Sequence, residues 1–569
     1  MSPHDSTGAN LIVQVKGGQV MRVVPLENDD VNECWLADRD RFSYEALNTP
    51  ERATVPMIKQ GGEWKPVSWN VALEYVARGL TQISVEHGAQ SVGALASPMS
   101  TVEELHLLAK VVRGLGSENI DTRLRAATTA PVEGALRWLG RPIASLSDLQ
   151  RVLVIGSFLR KDHPLLAQRI RQAARRGAKV MSVHALRDDW LMPMGASIAA
   201  APSAWPEALA SIAAAVASAK GIAAPSDTPA SDEAKAIAAA LQSGERKAVL
   251  LGNAVGQHVD AALIERLARW IAAQTGATFG WLGDGANAVG AQLVGAFPRA
   301  SGLGAAQMLG AGAPLKACVL LNVEPLVDLS DGPSSVSALG KAEMVVVLSP
   351  FLPRAGDPAD VLLPIAPFTE TSGTFVNAEG RAQSFHGVVK PLGEARPAWK
   401  VLRVLGNLLG LPGFSFETSD DVRADALGDA ASIADRLGVD VPVDPAPVTL
   451  RRAAADGAVE RIADVPIYAT DPIVRRAPAL QLTADARPPR VGVPSELAAE
   501  LGVVDGTPVR ISQGTGSVVL EASIDPSLAA NVLRVSAGHP LTAPLAPMFG
   551  PLSLALEREP AGASASSIG

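Results

Sequence analysis

The sequence has almost no cysteine: Cys34 and Cys318 are the only two in 569 residues. A pair so far apart argues against a disulfide framework and suits a reducing compartment. There is no CxxC, no HxxxH and no close Cys/His pair, so no metal-ligand spacing is legible. Aromatics are scarce too, at 4%, which favours alanine-rich helices packed closely on sheets over large aromatic cores. Positive charge is in deficit. With 50 Lys and Arg against 58 Asp and Glu the net charge is −8, and no basic run is interleaved with aromatics, so a nucleic-acid surface is not expected. Long apolar runs are missing as well. The nearest, ALASIAAAVAS (208–218), falls short of the ~20 residues a bilayer-crossing helix needs. The start, MSPHDS, has no basic stretch followed by an apolar one. These absences lead us to expect a soluble, cytosolic protein with no direct membrane insertion.

What is present is a long run of α/β pattern. The length exceeds one core and suggests three or four domains at ~100–200 residues each. LIVQVKGGQVMRVVP (11–25) reads as a β-hairpin turning at Gly17 and Gly18. Ser68 or Asn70 can cap a helix over 68–80 that carries Leu73, Val76 and Leu80 on one face. Three strand–helix–strand units follow. The first comprises RVLVIG (151–156), PLLAQRIRQAARRG (164–177) and AKVMSVH (178–184). The second comprises KAVLLG (247–252), VDAALIERLARWIAA (259–273) and ATFGWL (277–282). The third comprises ACVLLN (317–322), SSVSALG (334–340) and EMVVVLS (343–349), with DVLLP (360–364) as a further strand. Continuous apolar strands alternating with helices predict an α/β class with doubly wound parallel sheets. The expected organisation is a β-rich segment over 1–45, one or two α/β bodies over 46–410, an Asp/Ala/Pro-rich linker with a short helix over 411–474, a small C-terminal β-barrel over 475–555 and a disordered tail over 556–569.

Candidate sites are few. DGANAVG (284–290) has the glycine spacing of a phosphate loop but lacks the Lys-Ser/Thr that reaches phosphate and Mg²⁺, and GNAVG (252–256) is weaker still. Both read best as turns. Cys318 lies in an apolar strand and reads as a buried thiol. Cys34, among Glu33, Asp38, Arg39, Asp40 and Arg41, cannot alone hold an iron–sulfur cluster, which needs about four such ligands. The densest polar stretch is 359–385, where a strand runs out into Glu370, Gly373, Asn377, Glu379, Gly380 and Arg381. The residue types leave two readings open: a ligand loop at a strand end, or a Glu370–Arg381 ion pair beside tight turns.

That stretch resembles the ADxxLP…ExxGTxxNxEGR signature of the molybdopterin oxidoreductase superfamily. With 2–16, 32–47, 115–125 and 283–291 it resembles the large peripheral-arm subunit family of NADH-quinone oxidoreductase, the bacterial respiratory complex I, over about residues 2–555. The barrel segments LGVVDGTPVR (501–510) and AGHP (537–540) resemble the superfamily's dinucleotide-binding domain. The resemblance implies a peripheral protein on the cytoplasmic side of the inner membrane. Its partners would be other peripheral-arm subunits of a complex that passes electrons from NADH to quinone and translocates ions. It also implies a fragment, a split gene product or a truncated form, because the family's N-terminal region, with its 2Fe-2S and 4Fe-4S clusters, is not represented. Residues 1–45 would be the remnant of one 4Fe-4S domain, with Ala37 where some members place a cluster cysteine. LRAATTAP (124–131), near the place of the family's molybdenum-ligand loop, offers no thiol. The expectation is a scaffold with no catalytic residue, no metal ligand and no cofactor of its own, in which Glu370, Gly373, Asn377, Gly380 and Arg381 are the only cofactor-loop candidates. The alternative is a molybdopterin-dependent oxidoreductase of the formate dehydrogenase type.

Overall fold

Apolar runs without polar alternation need cover on both faces of a sheet. A computed structural model of the chain describes residues 1–127, 136–299, 301–310, 312, 315–438, 442–444, 446–450 and 458–557. It shows that cover in two separate sheets. In one, Arg151–Ile155 sits between Lys179–His184 and Lys247–Leu251, with Ser197–Ala199 and Thr278–Trp281 at the edges, and every pairing is parallel. Alternate residues separate cleanly. Leu153, Ile155, Val249 and Leu251 pack under helices Trp205–Lys220 and Ala261–Thr275, whereas Val152, Val154, Ala248 and Leu250 pack under Pro164–Arg175.

The other sheet has seven strands. Five are parallel, in the order Val361–Pro364, Met344–Ser349, Ala317–Leu321, Val92–Ala96, Ile120–Asp121. The hairpin Met57–Gln60 and Glu63–Pro66 adds an antiparallel edge. One face is covered by helices Trp69–His87, Val102–Gly114 and Ala398–Leu408. Ser68 accepts from the Val71 N–H and caps the first of these, and a Thr101/Glu104 capping box starts the second. The five-stranded sheet is therefore an insertion between Ile120–Asp121 and Ala317–Leu321.

The hairpin Leu11–Lys16/Gln19–Pro25 forms as expected, with Gly17 and Gly18 at φ 59° and 78°. The stretch expected as a linker over 411–474 is a different matter. Helix Ser419–Leu427 carries a capping box at Thr418, and with Ala430–Leu437 it inserts Val422, Leu427 and Ile433 into the core beside Trp399. The sequence allows one short helix within that linker; the structure has two, and both are packed, with Asp420, Asp421, Asp425 and Asp435 left exposed, so the acidic composition masked the few residues that anchor them. Glu460–Ile462 then joins the C-terminal sheet, so strands of that sheet start before residue 475. Its order is Gly550–Pro551, Glu460–Ile462, Val532–Val535, Val491–Val493, Gly516–Ile524, Pro508–Gln513, Ser553–Leu556. The two end strands adjoin in sequence, and the sheet is nearly closed on itself. The fully buried Arg461 guanidinium fastens its interior by donating to the Val535, Leu545 and Ser536 carbonyls. Of the expected tail, residues 558–569 lie outside the described residues. No helix among the described residues is long and apolar enough to cross a membrane.

Candidate functional site

Parallel strands deliver their following loops to one edge. One sheet is wholly parallel and the other, expected to be parallel, is mixed, and the parallel strands of both turn those edges toward each other. Between them lies a cleft of about 880 Å³, open mouth included. Every strand that reaches it contributes the residues just after its end: Ser97, Pro98 and Met99 after Val92–Ala96; Thr122 after Ile120–Asp121; Phe158, Asp162 and His163 after Arg151–Ile155. Asn253 and Gln257 follow Lys247–Leu251, Gly283 and Asp284 follow Thr278–Trp281, and Asp328 follows Ala317–Leu321. His4, Asp5 and Arg39 come from the N-terminal segment, and Asp464, Thr470 and Pro472 from the stretch that follows the barrel strand Glu460–Ile462. A second lobe of about 770 Å³ continues past Asn253 and Asp284 to Arg123, Arg137, Trp281 and Gln292.

The walls are charged, and the charges face one another. Arg39 pairs with Asp5 at 2.9 Å. Asp328 receives Arg475 at 2.8 Å and Arg125 at 3.4 Å. Arg534 pairs with Asp464 at 2.7 Å, and Arg137 with Glu265 at 3.2 Å, with its guanidinium 4.4 Å from the centre of the Trp281 ring. Burial pushes the Asp162 carboxyl up to about 7, although it accepts from the Phe158 N–H. Asp284 is also raised by burial, against the lowering field of Arg125, Arg137 and Arg123. Burial holds His163 down to about 4, against the raising influence of Asp5 and the Asn253 side chain, so its ring is neutral. Neither the His163 nitrogens nor Asn253 Oδ1 has a well-formed hydrogen bond. Most of the charges that line the cleft are thus paired with one another.

The expected candidates sit elsewhere. Glu370 and Arg381 do not pair with each other. Glu370 makes a bidentate pair with Arg52, both bonds 2.8 Å, whereas Arg381 binds Glu379 at 2.7 Å and Asp30 at 3.0 Å near the surface. Asn377 is buried; its Nδ2 donates to the Thr7 carbonyl at 3.1 Å and its Oδ1 accepts from the Arg381 N–H at 2.9 Å. Gly380 turns the hairpin at φ 86°, and a Cβ on Gly373 would meet the Thr101 side chain at 2.4 Å. None of the five borders the cleft. Cys34 is exposed, and Cys318 is buried in its strand with its thiol pushed up to about 12 by desolvation. The glycine loops read as plain turns, 252–256 and 284–290, do line the cleft. The signal was present in their position directly after apolar strands, and the missing Lys-Ser/Thr masked it. Of LRAATTAP, residues 128–131 lie outside the described residues.

Comparison with known proteins gives this geometry a family. Residues 3–45 match the profile "NADH-ubiquinone oxidoreductase NDSU1/NuoG-like, 4Fe-4S domain". The chain is 26% identical over 415 residues to the mitochondrial NADH-ubiquinone oxidoreductase 78 kDa subunit of Candida albicans, covering 71% of this chain and 51% of that protein. It is equally 26% identical over 491 residues to the probable oxidoreductase YjgC of Bacillus subtilis, covering 74% and 49%. The chain therefore spans about half the length of the curated relatives it matches. Among solved structures, acetylene hydratase from Pelobacter acetylenicus superposes with a TM-score of 0.68 at 14% identity, over 95% of this chain and 92% of that one. That likeness concerns the fold.

The 4Fe-4S match bears directly on the expectation that this chain has no cofactor of its own, because a cluster-domain profile covers the very segment taken as a remnant. The residues present do not fit a cluster. Within 3–45 the only thiol is the exposed Cys34, and among the described residues no three His, Cys, Asp or Glu side chains converge on a metal position. Nor do the described residues fit a molybdenum–pterin group. No thiol borders the cleft, and its arginines and most of its carboxylates are engaged with each other. The profile "Molybdopterin oxidoreductase" nevertheless matches residues 52–408, which hold the five-stranded parallel sheet, the mixed sheet around Ala317–Leu321 and most of the cleft wall. With more than half of its length so matched, the chain belongs to the molybdopterin oxidoreductase family.

Proposed function

We propose that this chain is a scaffold part of an NADH:quinone oxidoreductase of the complex I type, equivalent to the 78 kDa kind of subunit. It braces cluster-bearing domains and subunits that carry electrons from NADH toward quinone, and it runs no redox step in its own cleft. The observation that carries this reading is the self-paired cleft. Asp5–Arg39, Asp328–Arg475 and Asp464–Arg534 close it from within, where a catalytic site would keep groups free for a ligand. The similarity to the Candida 78 kDa subunit supports the choice of complex. Its partners would then be other peripheral-arm subunits on the cytoplasmic face of a bacterial inner membrane, with neither nucleic acid nor membrane insertion involved.

The similarity to a probable oxidoreductase, YjgC, favours a second reading: a molybdopterin-dependent oxidoreductase of the formate dehydrogenase kind. Two measurements separate the two. Affinity purification of the chain from its native cell should bring down other peripheral-arm subunits, and elemental analysis of the purified protein should find molybdenum and tungsten far below one atom per chain. Stoichiometric molybdenum or tungsten would establish the second reading and end the first.

A further inference from the structure

Residues 3–45 match a 4Fe-4S domain but hold one thiol, and the buried polar groups of this segment are turned on one another. Arg39 Nη2 donates to Asp5 Oδ2 at 2.9 Å and to the Asp162 carbonyl at 2.8 Å. His4 Nδ1 lies 3.0 Å from Asp471 Oδ2, and its Nε2 lies 2.7 Å from Ser43 Oγ. Ser2 Oγ hydrogen-bonds Asp40. The His4, Asp5, Arg39 and Asp471 side chains are no more than 3% exposed. Ser43, His4 and Asp471 have the spacing of a hydrolytic triad. Ser43, however, is fully buried and borders neither lobe of the cleft, so no substrate carbonyl can meet it. The three residues connect three stretches of chain.

That connection is what a cluster does mechanically. Cysteines from separated positions converge on one inorganic core and staple loops too small to hold themselves. This segment has the same need. Its only regular sheet is a two-stranded hairpin, which is marginal alone. Residues 2–5 and 39–43 are joined three times over, through Ser2–Asp40, Asp5–Arg39 and His4–Ser43. Arg39 and His4 then reach Asp162, after strand Arg151–Ile155 of the five-stranded sheet, and Asp471, between the barrel strands Glu460–Ile462 and Val491–Val493. Ala37, where the family resemblance sets a ligand, is buried and carries no donor atom.

We infer that a lattice of ion pairs and hydrogen bonds, centred on Asp5–Arg39 and on Ser43–His4–Asp471, does the fastening of residues 2–43 to the α/β body that an iron–sulfur cluster would do in a domain of this type. The inference concerns the chain by itself, and it stands or falls independently of assembly into a respiratory complex.

The test uses the full chain. Anaerobic incubation with ferrous iron and sulfide, followed by desalting, should leave no visible charge-transfer absorbance and well under one cluster's worth of iron and sulfide per chain. Arg39→Met should raise hydrogen exchange at the Ser2, His4, Thr7 and Asn10 amides by about a hundredfold, because it strands the Asp5 charge. Asp5→Leu combined with Arg39→Met should recover part of that protection, since no orphaned charge then remains. Should Arg39→Met fail to fold, Ser43→Ala deletes one hydrogen bond and should raise exchange at the same amides roughly fivefold. A stoichiometric chromophoric cluster would overturn the inference, and so would unchanged exchange in the variants that fold.

Discussion

Buried ion pairs recur in this chain where a sequence reader would place a ligand, and Arg52–Glu370 is the plainest. Both bonds are 2.8 Å, the side chains are 1% and 5% exposed, and Glu370 Oε2 also accepts from the Leu392 N–H. Removing one partner leaves the other charged and dry, at a cost of ~3–5 kcal/mol. Guanidinium titration should show Arg52→Met losing about that much, with Arg52→Met combined with Glu370→Leu losing clearly less than the single change. Glu104 offers a pH reading at the same scale. Burial raises its carboxyl from 4.5 to about 7, while it accepts from the Thr101 N–H at 2.9 Å in the capping box. A carboxyl whose folded pKa lies above its unfolded one holds its proton in the fold and gives it up in the unfolded chain. Stability is therefore lost as pH rises from about 4.5 to 7. Glu104→Gln keeps an acceptor and removes the titration. It should equal the parent near pH 4 and exceed it by a few kcal/mol near pH 7 in matched denaturant titrations.

At the scale of elements, the segment between barrel strands Glu460–Ile462 and Val491–Val493 is clamped by arginines to the sheet that holds Ala317–Leu321. Arg475 binds Asp328 at 2.8 and 3.1 Å and Glu324 at 3.1 Å, and Arg476 reaches Glu324 at 2.6 Å and Glu51 at 2.7 Å. Burial works against the Glu324 charge, yet Arg475, Arg476 and Arg354 hold its carboxyl down to about 2. Arg475→Met should cost ~3–5 kcal/mol and open new protease cuts between 463 and 477 under native conditions. An unchanged digestion pattern would show that the clamp is dispensable. The strand–helix units were legible because each pairs a continuous apolar run with a 3.6-residue pattern and a terminating glycine, as in 151–184. That one sheet is inserted into the other was not legible, because pairing Val92–Ala96 with Ala317–Leu321 is a contact over more than two hundred residues. The site followed the same division. The loops after strands could be found by position, but Arg39, Arg125 and Arg475 come from three distant stretches and carry no shared pattern. Glu370 was recognised as special, yet its partner lay far upstream at Arg52.

At the scale of the molecule, the question is whether the barrel is a passenger or a structural part. It has a core of its own around Val491, Val509, Ile511 and Leu533, and on that ground it could melt alone. It also shares a second core. Ile462, Leu528, Val532, Met548 and Phe549 pack with Leu153, Trp205 and Val255 of the five-stranded body. Phe549 lies 6.3 Å from Trp205 and 5.8 Å from His258, centre to centre. Backbone bonds from Arg187 N–H to the Ser527 carbonyl and from Ala529 N–H to the Ala185 carbonyl cross the same boundary at 2.9 Å each. Domains that merely dock keep a polar interface and move apart by default, whereas an interface built as one apolar core ties their stabilities together. The barrel and the five-stranded body should therefore unfold in one transition, so that exchange protection in Val491–Val493 and in Arg151–Ile155 disappears at the same denaturant concentration. Phe549→Ala, which empties the shared core at a cost of ~3–5 kcal/mol, should move both midpoints down together. Loss of protection in Val491–Val493 alone, with Arg151–Ile155 unmoved, would show that the barrel is carried by the fold without holding it.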